Sequence, residues 1–253
     1  MIGLPRYIPL SLPRKWMCDF VHFASKSPAV GGTILIQVGD LMKARARHQP
    51  MISWGAILIK TIALAADKWP ELRRAYMPLP WPHLYEHPYS VATVVVERKW
   101  RNEAAVFCDQ IKRPNEKSLS QIDFDLRTIK HAKVESLGAF RRLIRTTKYP
   151  LLLRRLMWRI ALQGSGRLKA KYFGTFSINA IIARRVYPTQ AATPLTFSVY
   201  YGPAKRDGEM PLHIFFDHRV IDASFVSRMG PDFEAILNGE ILAELEGASP
   251  TFP

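Results

Sequence analysis

The chain has 253 residues, with 36 lysines and arginines against 21 aspartates and glutamates, which gives a formal net charge of +15. Hydrophobic residues make up 48% and charged residues 23%, values that fit a globular protein and exclude a disordered chain. The excess of positive charge points to an anionic partner: nucleic acid, a phosphorylated cofactor, an acidic carrier protein or an anionic membrane.

The two cysteines, Cys18 and Cys108, are too few for a disulfide framework or a four-ligand zinc site. A single bridge between them is the alternative to two buried free thiols, which we expect. Pro5, Pro9 and Pro13 break the apolar N-terminus, so it does not read as a signal peptide. No window reaches the ~18–20 uncharged apolar residues of a membrane-spanning helix. These features predict a cytoplasmic protein and leave peripheral membrane contact open.

In the first half of the chain, helical spacing of apolar residues and β-branched runs define the elements. They predict helices over 14–26, 51–68 and 115–133, and strands over 33–38 and 89–97.

Three local features refine these elements. Asp40 is positioned to cap a short helix over 41–47. Lys60 is the only charge in 51–66, which is typical of a helix buried within a domain. Three prolines in residues 79–88 predict an ordered loop.

In the second half, strands are predicted over 173–182, 195–201 and 211–216. A final helical region over 224–237 is expected to be interrupted at Gly230-Pro231. Strands and helices follow one another irregularly and no linker separates them. We therefore expect a single α+β domain over residues 1–253.

The positive charge is concentrated in one segment. Between Arg141 and Lys171 there are ten basic residues and no acidic one, so this stretch holds ten of the fifteen excess charges. We interpret residues 141–171 as a basic amphipathic insert in the domain.

Within that segment, residues 151–162 predict an amphipathic helix with leucines on one face and arginines on the other. Trp158 lies beside the arginines, as aromatic residues do at membrane interfaces. Three interpretations remain open: a surface helix with its leucines in the core, a helix on an anionic bilayer, or a dock for a phosphate-rich ligand or carrier.

Known nucleic-acid-binding motifs are missing from the sequence, and we expect no nucleic-acid partner.

The pattern richest in chemistry is HIFFDHRVIDASF, residues 213–225. An apolar strand ends at Asp217-His218-Arg219, and Asp222 follows four residues after the histidine. A histidine at the end of a strand suits general-base catalysis, although a histidine in such a turn is more often structural.

The other histidines are weaker candidates. We expect His213, on the same strand, to be structural. His83 and His87 lie in the proline-rich stretch without a carboxylate at metal-ligand spacing, so no metal site is expected.

The segment DHRVIDA resembles the DHRxxDG signature of the catalytic domain of the dihydrolipoamide acyltransferases, the cores of 2-oxoacid dehydrogenase complexes. That family shares its fold with chloramphenicol acetyltransferase, whose motif is HHxxxDG. Further similarities occur in family order from about residue 14 to 245: an opening helix over 14–27, then MISWGAILIKTIALAADKWPELRRAYM, SVATVVVER, NEKSLSQID and GTFSINA. The resemblance implies a chloramphenicol acetyltransferase-like mixed sheet packed with helices.

The resemblance also implies roles for individual residues. His218 would be the general base for a coenzyme A or dihydrolipoyl thiol, and Asp222 the acid that orients the site. The family's oxyanion donor is a serine or threonine hydroxyl; here Asn179 occupies the serine position and Ser177 the preceding threonine position. Ala223 replaces the motif's glycine, which could restrict the turn. Coenzyme A or acyl-CoA would be the substrate, with no metal and no lipoyl group carried on the chain.

Members of this family are trimers whose active sites lie between subunits, so we expect a homotrimer. The pattern begins near residue 14 with no lipoyl domain before it, which suggests a stand-alone member. The leading hypothesis is a coenzyme A-dependent acyltransferase that moves an acyl group from a thioester to a hydroxyl, amine or thiol on a small molecule or carrier. The alternatives are a catalytically silent structural or ligand-binding member, and a lipid-directed acyltransferase held to a membrane by residues 141–171.

Overall fold

The computed structural model describes residues 9–180 and 188–247. Residues 1–8, which are part of the N-terminus discussed above, and residues 181–182, the end of a predicted strand, lie outside these ranges. The α+β class is confirmed. The helices are α1 (Leu12–Ala24), α2 (Gly39–Arg47), α3 (Trp54–Lys68), α4 (Leu119–His131), α5 (Gly138–Thr147), α6 (Leu151–Arg159), α7 (Gly166–Phe173), α8 (Ala223–Ile236) and α9 (Leu242–Leu245). The strands are β1 (Ala29–Gln37), β2 (Arg74–Met77), β3 (His83–Glu86), β4 (Val91–Trp100), β5 (Glu103–Lys112), β6 (Phe176–Ala180), β7 (Phe197–Tyr201) and β8 (Glu209–Asp217).

Six strands form one mixed sheet in the order β1-β8-β7-β6-β4-β5. β4, β6 and β7 run parallel to one another, while β1, β8 and β5 pair antiparallel with their neighbours. Phe176 of β6, Phe197 of β7 and Phe216 of β8 lie directly opposite one another and set the register at the centre of the sheet.

The prediction of a buried helix over 51–68 is confirmed by α3. Ser53 caps it, because its Oγ accepts a hydrogen bond from the Ala56 backbone N–H at 3.3 Å. Apolar side chains on several sides of α3 are fully buried and share one core with Phe176 and Ile178 of the sheet. Side chains alternate along a strand, so Ser177 and Asn179 lie on the opposite sheet face.

Three strands, β2, β3 and β5, lie where the sequence predicted a loop or no element. The stretch 79–88 contains β3, which pairs antiparallel with β2. β5 pairs with β4 through a two-residue turn at Arg101 and Asn102, whose φ angles are 48° and 65°. Such turns usually carry glycine, and its absence here removes the sequence signal for this hairpin.

Two helix boundaries also differ from the prediction. Gly230-Pro231 does not interrupt α8, which runs on through a π turn over Leu237–Ile241 into α9. Met229 and Phe233, on either side of the proline, are buried in the core and stabilise the helix against the lost backbone hydrogen bond. Asp40 lies inside the first turn of α2 and does not cap it; its carboxylate instead accepts a hydrogen bond from Lys43.

Candidate active site

His218 directly follows β8, with its side chain exposed to solvent. Its backbone N–H donates to the carbonyl of Pro28, which precedes β1, at 3.3 Å. The strand pairing of β1 and β8 therefore fixes the backbone from which the imidazole projects. Its ring is free to meet a ligand from the solvent side.

The two residues flanking His218 are locked together. Asp217 is 1% exposed, and Arg219 donates to it through Nε at 2.9 Å and Nη2 at 2.6 Å. Ser27 Oγ donates to the same carboxylate at 3.1 Å, and the guanidinium lies 4.2 Å from the centre of the Tyr76 ring. Burial alone would raise the pKa of Asp217, but the hydrogen bonds from Arg219 and Ser27 outweigh it and hold that pKa below its ordinary value. Asp217 and Arg219 belong to the sequence motif, but no sequence signal identified Ser27 or Tyr76 as their partners.

Asp222 caps the N-terminus of α8. Its Oδ1 accepts hydrogen bonds from Ser224 Oγ and the Phe225 backbone N–H, each at 2.7 Å. These bonds hold the pKa of Asp222 below its ordinary value, and the electrostatic influence of His218 adds a smaller effect in the same direction. Asp222 therefore lies within electrostatic range of His218 while its hydrogen bonds anchor the helix. Ala223 starts the helix and is not among the described residues with positive φ, so the turn does not require the motif's glycine.

The two oxyanion candidates lie in a buried polar cluster on β6. Ser177 Oγ donates to Ser198 Oγ at 2.9 Å, which commits its proton inside the protein. The amide nitrogen of Asn179 donates to Ser177 Oγ at 3.5 Å and to the Val199 carbonyl at 3.4 Å. Both distances are long for a hydrogen bond, so the Asn179 amide is the easier of the two donors to redirect towards a ligand.

Within one chain, Asn179 and His218 are far apart. Phe176 and Phe216 lie level in the sheet on strands separated by β7. Asn179 lies three residues beyond that level in one direction, and His218 two residues beyond it in the other. The two residues are therefore five residues apart along the strand direction and two strand spacings apart across the sheet. Together these offsets separate their backbones by about 19 Å. A single protomer therefore does not bring the predicted base and the predicted oxyanion donor together.

Sequence reasoning missed Lys169 of α7, which is buried behind the Asp217–Arg219 pair. Its Nζ donates to the Tyr76 carbonyl at 3.4 Å. Burial lowers the pKa of Lys169 to about 8; Asp217 opposes this shift and Arg219 adds to it. In the sequence Lys169 is one of ten basic residues in a run, and nothing distinguishes it from its exposed neighbours.

The three other histidines considered in the sequence, His213, His83 and His87, have protein partners. His213 Nδ1 lies 2.9 Å from Thr33 Oγ1 on β1. His83 Nδ1 lies 2.7 Å from the Trp81 carbonyl, and His87 Nδ1 lies 3.1 Å from the Tyr85 hydroxyl. In residues 9–180 and 188–247, no group of three or more histidine, cysteine, aspartate or glutamate side chains could hold a metal ion. Nor does any helix in these ranges have the length and apolar character needed to cross a bilayer.

A cavity of about 300 Å³ lies against β5, at the opposite edge of the sheet from β1. Aromatic and apolar side chains of α1, α5, α6 and α7 line it together with Cys108, whose thiol pKa is raised to about 12 by burial. Both cysteines are free, but Cys18 is exposed, so the expectation of two buried thiols is wrong for Cys18.

No family model matches this chain, and no curated protein matches it in sequence. Solved structures do share its fold. The dihydrolipoamide acetyltransferase of Azotobacter vinelandii is 16% identical with a TM-score of 0.71, over 96% of this chain and 95% of that one. A probable dihydrolipoamide acetyltransferase of Listeria monocytogenes is 14% identical with a TM-score of 0.66, over 92% and 94%. Chloramphenicol acetyltransferase is 15% identical with a TM-score of 0.51, over 90% and 98%. The expected fold is thus confirmed, and the likeness at these identities concerns the fold alone.

Proposed function

We propose that this protein is a coenzyme A-dependent acyltransferase in which His218 is the general base. The observation that carries the proposal is the position of His218: an exposed imidazole at the end of β8, between a buried aspartate and the arginine paired with it, in the fold of acyltransferase cores. We place the protein in the cytoplasm as part of the same proposal.

The chemistry follows from the residue types. A ring nitrogen of His218 accepts the proton of an acceptor hydroxyl, amine or thiol as that atom attacks the thioester carbonyl carbon. The tetrahedral oxyanion then accepts hydrogen bonds from the Asn179 amide of a neighbouring protomer. When the intermediate collapses, the carbon–sulfur bond breaks, and the imidazolium returns the proton to the departing coenzyme A thiolate. Asp222, held at the start of α8 by its hydrogen bonds, would orient the residues around His218.

The separation of about 19 Å between Asn179 and His218 supports an active site shared between two protomers, and the homotrimer implied by the family resemblance would supply such sites. In a ring of three chains each site can combine the histidine of one protomer with the asparagine of the next, and every protomer then contributes to two equivalent sites.

We expect His218→Ala to lower acyl transfer by about 10²–10⁴-fold, because the attacking group then lacks its base. The assay is release of free coenzyme A thiol from a series of acyl-CoA donors, each tested with hydroxyl, amine and thiol acceptors. His213→Ala is the matched control, since it removes another histidine from the same strand, and it should retain turnover within a few-fold. Unchanged turnover in a folded His218→Ala variant would end this mechanism.

The asparagine at position 179 favours a second candidate, a catalytically silent protein that binds acyl-CoA. Its amide is already hydrogen-bonded inside the protein, and a hydroxyl donor is missing at that position. Acyl-CoA would then raise the melting temperature without any thiol release, whereas the enzyme should show both.

A further inference from the structure

The amphipathic helix α6 is turned the opposite way from an ordinary surface helix. Arg154 is buried, whereas Leu152 is 85% exposed, Leu156 54%, Ile160 48% and Leu153 44%. The sequence left three interpretations of this helix open. The one that places the leucines in the core and the arginines in water is wrong. The helix shows its apolar side to the solvent.

A buried ion pair fixes this orientation. Asp19 of α1 is 1% exposed and accepts hydrogen bonds from Arg154 Nε at 2.7 Å and Nη2 at 3.3 Å. Arg155 Nε lies 3.3 Å from the same carboxylate. Rotating α6 to bury its leucines would leave the Asp19 carboxylate buried without a partner, which is strongly unfavourable. The exposure of the leucines is therefore enforced by the packing of α1.

The inner face of α6 carries an aromatic cluster beside the cavity that lies against β5. Trp158 stacks on Phe23 with ring centres 6.0 Å apart, and lies 5.1 Å from Phe173 and 6.2 Å from Trp16. Its position beside the arginines suggested an interfacial aromatic residue, and this expectation is wrong. Arg154 and Trp158 thus form the inner side of α6, and the leucines on its outer side face the solvent.

The segment that carries the exposed leucines also carries exposed positive charges. Arg159 is exposed on the outer side of α6, and Lys148 and Lys171 are exposed on the segments before and after it. No acidic residue occurs anywhere between Arg141 and Lys171. Trp81, 68% exposed, lies in the loop whose Leu79 N–H donates to the carbonyl of Gln163, just beyond the end of α6.

We propose that the outer face of α6, formed by Leu152, Leu153, Leu156, Ile160 and Arg159, binds the surface of an anionic phospholipid bilayer. An apolar band flanked by arginines and lysines is the pattern by which a helix lies in the plane of a membrane, with its aliphatic side chains among the acyl chains and its cations at the phosphates. Charge complementarity favours an anionic lipid surface over a two-fold contact between copies of this chain, since such a contact would bring the same cluster of cations against itself. This inference is independent of the acyl-transfer proposal.

The test is co-sedimentation of the full chain with vesicles. We expect binding to vesicles of phosphatidylcholine with about a third phosphatidylserine, at least about tenfold weaker binding to phosphatidylcholine alone, and loss of binding as salt rises towards 0.5 M. The double variant Leu152→Ser, Leu156→Ser should bind the anionic vesicles at least about tenfold more weakly. The matched control is Leu35→Ser, Phe124→Ser, which removes two exposed apolar side chains from other parts of the surface. Melting temperatures of both variants show that each remains folded.

Three results would overturn the proposal: no binding of the native chain to anionic vesicles, equal binding to neutral vesicles, or native-like binding by the α6 double variant. A change in oligomeric state of that variant by light scattering, in the absence of any vesicle effect, would identify the face as a contact between copies. Thiol release from acyl-CoA in solution is measured separately, so a failure of membrane binding and a failure of catalysis remain distinguishable.

Discussion

At the scale of single residues, Lys169 links the candidate site to the stability of the fold. Its pKa falls from an ordinary value of 10.5 to about 8 because it is buried. Below pH 8 the folded protein carries this charge at a cost of about 3 kcal/mol relative to the unfolded chain. Between pH 8 and 10.5 the folded state releases the proton that the unfolded state still holds, so stability rises with pH in this window.

We expect Lys169→Met to remove this contribution to the pH dependence. The variant should gain stability relative to the native protein at pH 7, and that gain should shrink by about 3 kcal/mol as pH rises from 8 to 10.5. Urea unfolding at pH 7, 8.5 and 10 measures the difference. The control is Lys171→Met, which replaces an exposed lysine of the same helix. Its difference in unfolding free energy from the native protein should be the same at all three pH values. A pH-independent difference for Lys169→Met would contradict the burial argument.

The sequence was informative about residues that belong to a motif and silent about those that support it. His218 and Asp222 could be picked out because their residue types and spacing match a known pattern. Ser27 and Tyr76, which hold the Asp217–Arg219 pair, come from distant parts of the chain. Their contacts arise only when β1 and β2 are placed beside the end of β8, which no local pattern encodes.

At the scale of elements, the pair between α1 and α6 offers a stability test. Asp19→Asn leaves Arg154 buried without its carboxylate, and we expect a loss of about 3–5 kcal/mol in the free energy of unfolding. Urea denaturation at pH 7 measures it. Asp40→Asn, which breaks an exposed pair with Lys43, is the control and should leave stability unchanged within error. A loss for Asp19→Asn no larger than that of the control would show that this pair does not fix α6.

Periodicity predicted that 151–162 is helical and amphipathic, but it could not tell which face turns inward. That choice depends on Asp19, 135 residues before Arg154 in the chain. The hairpin of β4 and β5 was hidden for a different reason. Its turn residues, Arg101 and Asn102, adopt left-handed backbone angles. Glycine is the usual sequence signal for such a turn, and neither residue is a glycine.

At the scale of the whole molecule, the net charge of +15 is not all available to a partner. Two of the ten cations in 141–171, Arg154 and Lys169, are buried.

The order and spacing of the motifs allowed the fold to be predicted from the sequence. The distance between Asn179 and His218 in the folded chain could not be predicted, because it depends on the register of three adjacent strands.

That distance leads to a test of the oligomer. If each site takes its base from one protomer and its oxyanion donor from the next, His218→Ala and Asn179→Ala chains are each inactive alone. Co-expressed in equal amounts, they form mixed trimers in which some interfaces join an intact His218 to an intact Asn179. Random mixing gives about one quarter of sites this combination, so about a quarter of native thiol-release activity should return.

The control pairs His218→Ala chains with the double variant His218→Ala, Asn179→Ala. No interface in that mixture contains the histidine, so its activity should stay at background. Light scattering on both mixtures confirms that trimers form equally well in each. Restored activity in the first mixture alone means that the site spans two protomers. If complementation fails while trimers form, either the base and donor act from one chain, which their separation forbids, or Asn179 is not the donor.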